Sequence, residues 1–400
     1  MQKIRRVILI VMDSVGIGEL PDAGEYGDIG ADTLGHAAKA VGGVSLPNLE
    51  SLGLGKLTVL RDEKPSHKDP AGKNILGSYG KMAEASKGKD TTVGHWEMMG
   101  VIVKKPFPLY PDGFPPSVIN KFETDIGRKT LGNKPASGTE IIQELGEQHC
   151  KTGFPIVYTS QDSVFQIAAH EDVIPLDDLY AMCKIARKIL CGDHAVGRVI
   201  ARPFTGKPGS FTRTRNRHDF SLEPAGETVL DRIKSEGLDS IGVGKIKDIF
   251  AGRGLTAHVN AGTNEEVLQA VAEGLANPGF KKGLLFANLV DFDMLYNHRQ
   301  DPAGLIKALG VFDRFLPQLF DAMKEDDALF ITADHGNDPT DHSTDHCREY
   351  VPIMACGARI AKGKNLGVRK SFADCGKTIS EMLGVKLLPA GVSFAKEILV

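Results

Sequence analysis

The stretch Thr332 to His346 reads TADHGNDPTDHSTDH and follows the short apolar run Ala328 to Ile331. Between Asp334 and His346 it carries four aspartates (Asp334, Asp338, Asp341, Asp345) and three histidines (His335, His342, His346). Carboxylate oxygens and imidazole nitrogens together suit zinc, manganese and iron. A buried strand that runs into such a loop points to an open parallel α/β sheet, whose sites form at the carboxyl ends of its strands.

Two more apolar runs end the same way. Val7 to Met12 is a continuous aliphatic run, as expected of a strand buried on both faces, and it stops at Asp13. Leu284 to Val290 is another, followed by Asp291 and Asp293. Helical segments connect these strands, so their carboxyl ends are expected on one edge of the sheet, with the acids converging. The expected sets are Asp13, Asp334 and His335, and Asp293, His298 and His346. A pair of metal ions held this way clamps the attacking and leaving oxygens of phosphoryl transfer.

Ser86 to Gly100, SKGKDTTVGHWEMMG, offers a nucleophile. Thr91 or Thr92 reads as a helix N-cap or as an activated hydroxyl, and the two roles are compatible. Backbone N–H groups at that helix start are expected to stabilise a phosphoryl adduct. The run from Ala195 to His218 holds Arg198, Arg202, Lys207, Arg213, Arg215 and Arg217 and no acid. Arginine binds phosphate bidentately, and the few interleaved aromatics favour phosphate capture over nucleic acid. Gly242, Gly244 and Lys245 lack P-loop spacing, but Lys245 after a strand is a candidate phosphate contact.

Five prolines between Lys104 and Pro116 exclude helix interior or central strand and mark a crossover. Beyond it Ser137 to Glu140 reads as a capping box opening a helix to about His149. Strands are expected at Pro155–Ser160 and Gly197–Ala201, and a helix at Leu176–Leu190. The chain thus divides into a discontinuous core domain, residues 1–102 and 223–400, and an inserted α/β unit, 103–222. In the core, helices are expected at Asp32–Val41, Glu227–Ser235, from the Thr263 cap to Leu275, at Ala303–Lys324 with a kink at Pro317, and at Lys377–Leu383. Further core strands are expected at Ser240–Val243 and Val351–Ala355.

The totals set outer limits. The chain has 400 residues, 42% apolar and 25% charged, with a net charge of -3, which gives no reason to expect general nucleic-acid binding. Six scattered cysteines without a C-x-x-C fit a reduced, cytoplasmic protein. Cys347, beside His346, reads as a buried thiol more readily than as a soft ligand. The run Val7 to Met12 is too short for a signal peptide, and no run approaches a membrane span.

The segments VMDSVGIGE, GKDTTVGHWEMMG, VDFDMLYNHR, TADHGNDPT and TDHCREYVPI occur in this order, with YTSQDSVFQIAAHE and GRVIARPF in the insertion. Together they closely resemble the phosphopentomutase family of the alkaline phosphatase superfamily. The resemblance implies a doubly wound core with an inserted cap domain. It implies two manganese ions on Asp13, Asp293, His298, Asp334, His335 and His346, with Thr91 as the phosphorylated nucleophile. It implies substrate contacts at Ser160, Asp162, Arg198, Arg202 and Lys245. The implied reaction interconverts ribose 1-phosphate, or its 2-deoxy analogue, and the pentose 5-phosphate through a 1,5-bisphosphate, in nucleoside catabolism and salvage. A sugar 1,6-bisphosphate or pentose 1,5-bisphosphate is the implied activator, with no obligatory protein partner, nucleic acid or membrane. The rival readings are a phosphatase or serine-dependent phosphoglycerate mutase of the same superfamily, and a non-catalytic RNA-binding protein built on the basic run.

Overall fold

A computed structural model of the chain describes residues 4–61, 75–160 and 163–400. Two strands precede the insertion, β1 (Arg6–Met12) and β2 (Ser78–Met82). Within it lie β3 (Leu131–Pro135), β4 (Ile156–Thr159), β5 (Val164–His170), β6 (Arg198–Thr205), β7 (Thr212–Arg213) and β8 (His218–Ser221). After it come β9 (Asp239–Val243), β10 (Ala257–Val259), β11 (Gly283–Leu289), β12 (Asp327–Thr332), β13 (Val351–Cys356) and β14 (Asn365–Arg369). The chain divides into two units, Met1–Lys105 with Pro224–Val400, and Pro106–Glu223.

The first unit holds an eight-stranded sheet in the order β10-β9-β11-β1-β12-β13-β2-β14. From β10 to β12 all neighbours are parallel, and β13 is antiparallel to both of its neighbours. Every residue of β1, β11 and β12 is buried. Two groups of helices cover this sheet. Asn264–Ala276 packs on β11, β9 and the helix Pro302–Ala322, while Ala373–Leu383 packs on β1 and on the helices Thr91–Met98 and Val229–Ser235. This is a doubly wound α/β core. β1 is flanked by β11 on one side and β12 on the other, so a crevice opens beyond their carboxyl ends.

The opposite end of the same strands is tied by charge. Arg6 and Asp327 are direct cross-strand partners and both are buried. The guanidinium donates Nε to Oδ1 at 2.7 Å and Nη2 to Oδ2 at 2.5 Å, and its Nη1 reaches the Leu275 carbonyl at 2.8 Å. The pairing fixes register and satisfies both ions.

The second unit is a six-stranded sheet, β3-β4-β5-β6-β7 with β8 also on β6. Strand alternation feeds two apolar clusters. Val157, Phe165, Ile167 and Val199 pack with the helices Pro116–Ile126 and Leu176–Ile189, and Ile156, Tyr158, Ala168 and Phe204 with Gly138–Thr152.

Some local expectations give way. The Ser137 hydroxyl does not cap its helix; it lies 2.9 Å from the Thr139 hydroxyl, which competes for it. A complete capping box occurs instead at Thr228 and Asp231, so that helix starts at Val229 rather than Glu227. The last long helix starts at Ala373, one turn before Lys377, and the helix Pro302–Ala322 ends two residues before Lys324, with Pro317 inside it.

Replacing Asp327 with Asn leaves a buried guanidinium without its countercharge and should cost about 3–5 kcal/mol of folding stability in urea unfolding. The double replacement Arg6→Met with Asp327→Leu should recover most of it.

Candidate active site

β1, β11 and β12 deliver Asp13, Asp293 and Asp334 to one edge of the sheet. Asp13 follows β1 directly, Asp334 follows β12 after Ala333, and both are fully buried. Asp293 sits in a π-helical turn, Phe292–Tyr296, after β11, which carries the chain on to His298. Ligating atoms of Asp13, Asp334 and His335 lie within 4.8 Å of one another, as do those of Asp293, His335 and His346, while His298 stands beside Asp293 outside both groups. His335 Nε2 lies 3.4 Å from Asp13 Oδ1 and 3.5 Å from Asp334 Oδ2. His298 Nε2 lies 3.3 Å from Asp293 Oδ2, and His346 Nε2 lies 3.5 Å from Asp293 Oδ1. The two sets adjoin, with the His335 and His346 rings 4.1 Å apart.

The ring nitrogens are already sorted. His298 Nδ1 faces the Thr344 carbonyl at 2.6 Å, and His335 Nδ1 faces the Gly336 carbonyl at 3.0 Å. A carbonyl only accepts, so each Nδ1 carries the hydrogen and each Nε2 is the ligating atom. The His298 and His346 Nε2 atoms converge to 3.1 Å beside one carboxylate. Asp13 Oδ1 and Asp334 Oδ2 are buried and have no hydrogen-bond partner. Two divalent cations fit this donor set: buried oxygens without partners, and imidazole lone pairs pointing at common points.

Charge compensates charge here. Burial alone would raise the Asp334 carboxyl, but His335 and His95 overcome it and hold it down at about 2. Burial would likewise raise Asp293, yet His298 and His346 keep it well below the usual range. The reverse holds for the bases. Burial would lower His335, and Asp334 with Asp13 drives it well above its ordinary value. Burial is again outweighed at His298, which Asp293 raises.

Thr91 opens the helix Thr91–Met98, nearly buried, with Oγ1 3.2 Å from His335 Nε2. It is not the cap. The Asp90 carboxylate takes that place, accepting from the N–H groups of Thr92 at 3.0 Å and Val93 at 3.2 Å. A carboxylate next to the helix start outcompetes a hydroxyl, which leaves Thr91 Oγ1 turned toward the acids and imidazoles. The cap also occupies donors expected for a phosphoryl adduct, and the Gly94 N–H bonds the Asp90 carbonyl. The helix approaches closely because residue 94 is glycine: a Cβ there would meet the Asp334 carbonyl oxygen at 2.1 Å. Buried Glu97 anchors the same helix by accepting from Ala85, Ser86 and Phe372 N–H groups and the Ser371 hydroxyl.

The rest of the opening loop is structural. Asp338 accepts from the Asp32 and Thr340 N–H groups and faces His36 Nδ1 at 2.6 Å. Asp345 pairs with Lys89 at 3.4 Å, and Asp341 accepts from the His342 N–H. Cys347 is a buried thiol whose sulfur accepts from the Asp338 N–H. Lys245 Nζ stands 3.5 Å from Asp13 Oδ2, at the acids. Three buried asparagines went unread in the sequence. Asn288 donates to Asp13 at 2.7 Å, Asn297 to the Ser14 hydroxyl at 2.7 Å, and Asn337 lies 3.5 Å from Asp293 Oδ1. The available signal was Asn288 itself, a lone amide in the apolar run GLLFANL.

In the second unit Ser160, Arg198 and Arg202 line one cavity of about 320 Å³ together with Gln166, Arg213 and Arg217. Asp162 lies outside the described residues. Lys207 and Arg215 are exposed and do not line the cavity. Among the described residues Asp219, one residue beyond the basic run, faces these arginines; it binds Arg217 at 2.7 Å and lies 3.6 Å from Arg198. Burial and the neighbouring Arg217 push Arg202 down to about 10.

Comparison with known proteins fits this geometry. A model of the metalloenzyme superfamily matches residues 5–387. The phosphopentomutase of Caldanaerobacter subterraneus subsp. tengcongensis is 58% identical over 395 residues, covering 99% of this chain and 98% of that protein. The phosphopentomutase of Carboxydothermus hydrogenoformans is 60% identical over 383 residues, covering 96% and 97%. Among solved structures, the PH0037 protein of Pyrococcus horikoshii shares the fold, with a TM-score of 0.50 at 13% identity over 97% of this chain and 100% of that one. The superfamily match sets the class, a metalloenzyme. The relatives narrow it: the chain belongs to the phosphopentomutase family and is an isomerase. No helix among the described residues is long and apolar enough to cross a membrane.

Because His335 and His298 are raised, metal binding must expel protons from the site at neutral pH. Apparent Mn2+ affinity should therefore climb with pH through the neutral range, by about tenfold per pH unit for each proton released. Calorimetry in buffers of different ionisation enthalpy should show net proton release; a buffer-independent heat would contradict it.

Proposed function

We propose that this chain interconverts ribose 1-phosphate, or 2-deoxyribose 1-phosphate, and the corresponding pentose 5-phosphate through a phosphothreonine enzyme. The observation that carries the reading is Thr91. Its hydroxyl is released from capping by Asp90 and stands 3.2 Å from His335 inside the paired acid–imidazole sets. A threonine nucleophile serves a hydrolase as well as a mutase, and the mutase is favoured because the relatives are phosphopentomutases.

In this reading Asp13, Asp334 and His335 hold one Mn2+, and Asp293, His298 and His346 hold the other. Such ions, when bound, lower the pKa of a hydroxyl and offset charge on a transferring phosphoryl group. Phospho-Thr91 gives its phosphoryl group to the 5-hydroxyl of the sugar 1-phosphate: the bond to Thr91 Oγ1 breaks and a bond to the sugar oxygen forms. The 1,5-bisphosphate then returns its other phosphoryl group to Thr91 and leaves as the 5-phosphate. The enzyme must be phosphorylated before it can turn over, so a sugar 1,6-bisphosphate or pentose 1,5-bisphosphate is the activator. Residues 1–102 and 223–400 carry this chemistry, and the inserted unit, 103–222, recognises the sugar phosphate. Its cavity suits a phosphate, with Arg198 and Arg202 as donors and Ser160 in its lining; the motif assigns Asp162 to the sugar hydroxyls. Lys245 steadies charge at Asp13. The reading places the enzyme in a reduced cytoplasm, where its six free cysteines stay thiols, and in nucleoside catabolism and salvage.

Intact mass after incubation with glucose 1,6-bisphosphate should show one added phosphoryl group, mapped to Thr91 and lost in Thr91→Ala along with turnover. An adduct that persists in that variant moves the nucleophile elsewhere, and inorganic phosphate in place of the 5-phosphate makes the enzyme a phosphatase. Arg198→Ala should raise KM for ribose 1-phosphate by about 10- to 100-fold, the loss of a charge-assisted hydrogen bond, with a smaller fall in kcat.

A further inference from the structure

Asp13 and Asp334 each present one bare oxygen, and the structure contains a reason. The other oxygen of each is already held. Asn288, fully buried near the end of β11, donates Nδ2 to Asp13 Oδ2 at 2.7 Å, which leaves Oδ1 bare. The Ser14 N–H donates to Asp334 Oδ1 at 3.0 Å, which leaves Oδ2 without a hydrogen bond, 3.1 Å from a His95 Nδ1 that faces the Thr91 carbonyl at 2.8 Å. Ser14 can do this because its backbone is left-handed, with φ 65°, a conformation uncommon for a non-glycine residue. Asn297, also fully buried, holds it there by donating Nδ2 to the Ser14 hydroxyl at 2.7 Å and to the Ser14 carbonyl at 3.2 Å.

The amide orientations are forced by chemistry. A carboxylate and a carbonyl only accept, so the atoms facing them must be Nδ2. Both amide oxygens, Asn288 Oδ1 and Asn297 Oδ1, are then buried without partners. Folding gains little from a buried amide half unsatisfied, so the donor end is where these residues act.

We propose that Asn288 and Asn297 are positioning residues of the Asp13–Asp334–His335 metal site. Asn288 acts directly on Asp13, and Asn297 acts through the strained Ser14 on Asp334. Each fixes which carboxylate oxygen is offered to the ion. Neither side chain bonds to Asp293, His298 or His346, and the backbone bond from the Asn297 N–H to the Asp293 carbonyl survives a change of side chain, so replacing either side chain acts on one of the two sites. This rests on the two-metal reading above.

The test is Mn2+ binding to the full-length, chelator-stripped protein, read by calorimetry and by the Mn2+ electron paramagnetic resonance signal. Wild type, Asn288→Leu and Asn297→Leu are compared, with His298→Ala as the marker for the other site. Each asparagine variant should keep one Mn2+ at wild-type affinity and bind the other about 10- to 100-fold more weakly, as loss of an outer-sphere partner does. His298→Ala should weaken the complementary ion. Raising Mn2+ should restore turnover in both asparagine variants, and the rise in Tm on adding Mn2+ should shrink. Two ions bound as tightly as in wild type, or both weakened alike, overturn the inference and leave the two-metal reading intact. Wild-type protein that takes up fewer than two Mn2+ overturns that reading and the inference with it. If one variant fails to fold, the other decides; loss of fold in both assigns the asparagines to stability and also overturns the proposal.

Discussion

Everything at the sheet edge answers to one constraint: three aspartates, Asp13, Asp293 and Asp334, are buried where water cannot solvate their charge. An uncompensated buried carboxylate costs several kcal/mol and repels its neighbours across a medium that screens poorly. Protonation would relieve this, but Asp334 and Asp293 are held low, so the compensation is cationic. In the bare protein the histidines provide it, with His335 and His298 raised by the acids beside them. In the proposed loaded site two divalent ions replace those protons. Three carboxylates against two such ions leave one formal positive charge, and the alkoxide or phosphate at Thr91 is the anion placed to meet it.

The fold is what makes so costly a cluster affordable. β11, β1 and β12 run parallel, so their carboxyl ends coincide without any long-range loop having to find its place. The Arg6–Asp327 pair sets the register of β1 against β12 from the far end, and a one-residue slip would turn the strand-end acids to the other face. Gly94 then lets the nucleophile helix lie against the Asp334 backbone, and Glu97 fixes that helix from below through three backbone N–H groups and one hydroxyl. Placement of Thr91 is therefore a property of the core and not of a mobile loop.

The sequence displayed these strands because strands buried on both faces read as unbroken apolar runs, and each of the three stops at or just before an acid. That pattern was enough to bring Asp13, Asp293 and Asp334 together on paper. Edge and short strands carry no such pattern: SYGKM in β2 and the exposed AHV of β10 look like loops, because neighbours rather than composition decide their pairing. The cap of the nucleophile helix was ambiguous for a different reason. Asp90, Thr91 and Thr92 are all competent acceptors in a row, and only backbone geometry selects Asp90. The asparagines were the least legible of all. Asn288 and Asn297 act through hydrogen bonds to residues some 275 and 283 positions away, and one sequence holds no trace of that distance.

The basic run shows how folding changes the meaning of composition. Six cations in a linear stretch could serve a nucleic-acid backbone, which rewards a long exposed stripe. Here Lys207 and Arg215 face solvent, while Arg198, Arg202, Arg213 and Arg217 gather around one cavity with Ser160 and Gln166. Asp219 neutralises part of that charge through Arg217 and Arg198. The crowding of like charge is visible in Arg202, whose guanidinium is pushed down to about 10 by burial and by Arg217 nearby. At Arg202 an anion binds with less than the usual desolvation cost, because that guanidinium has already lost much of its water. A compact dianion such as a phosphate relieves the repulsion of several arginines at once, whereas a single carboxylate, as Asp219 demonstrates, relieves only part of it.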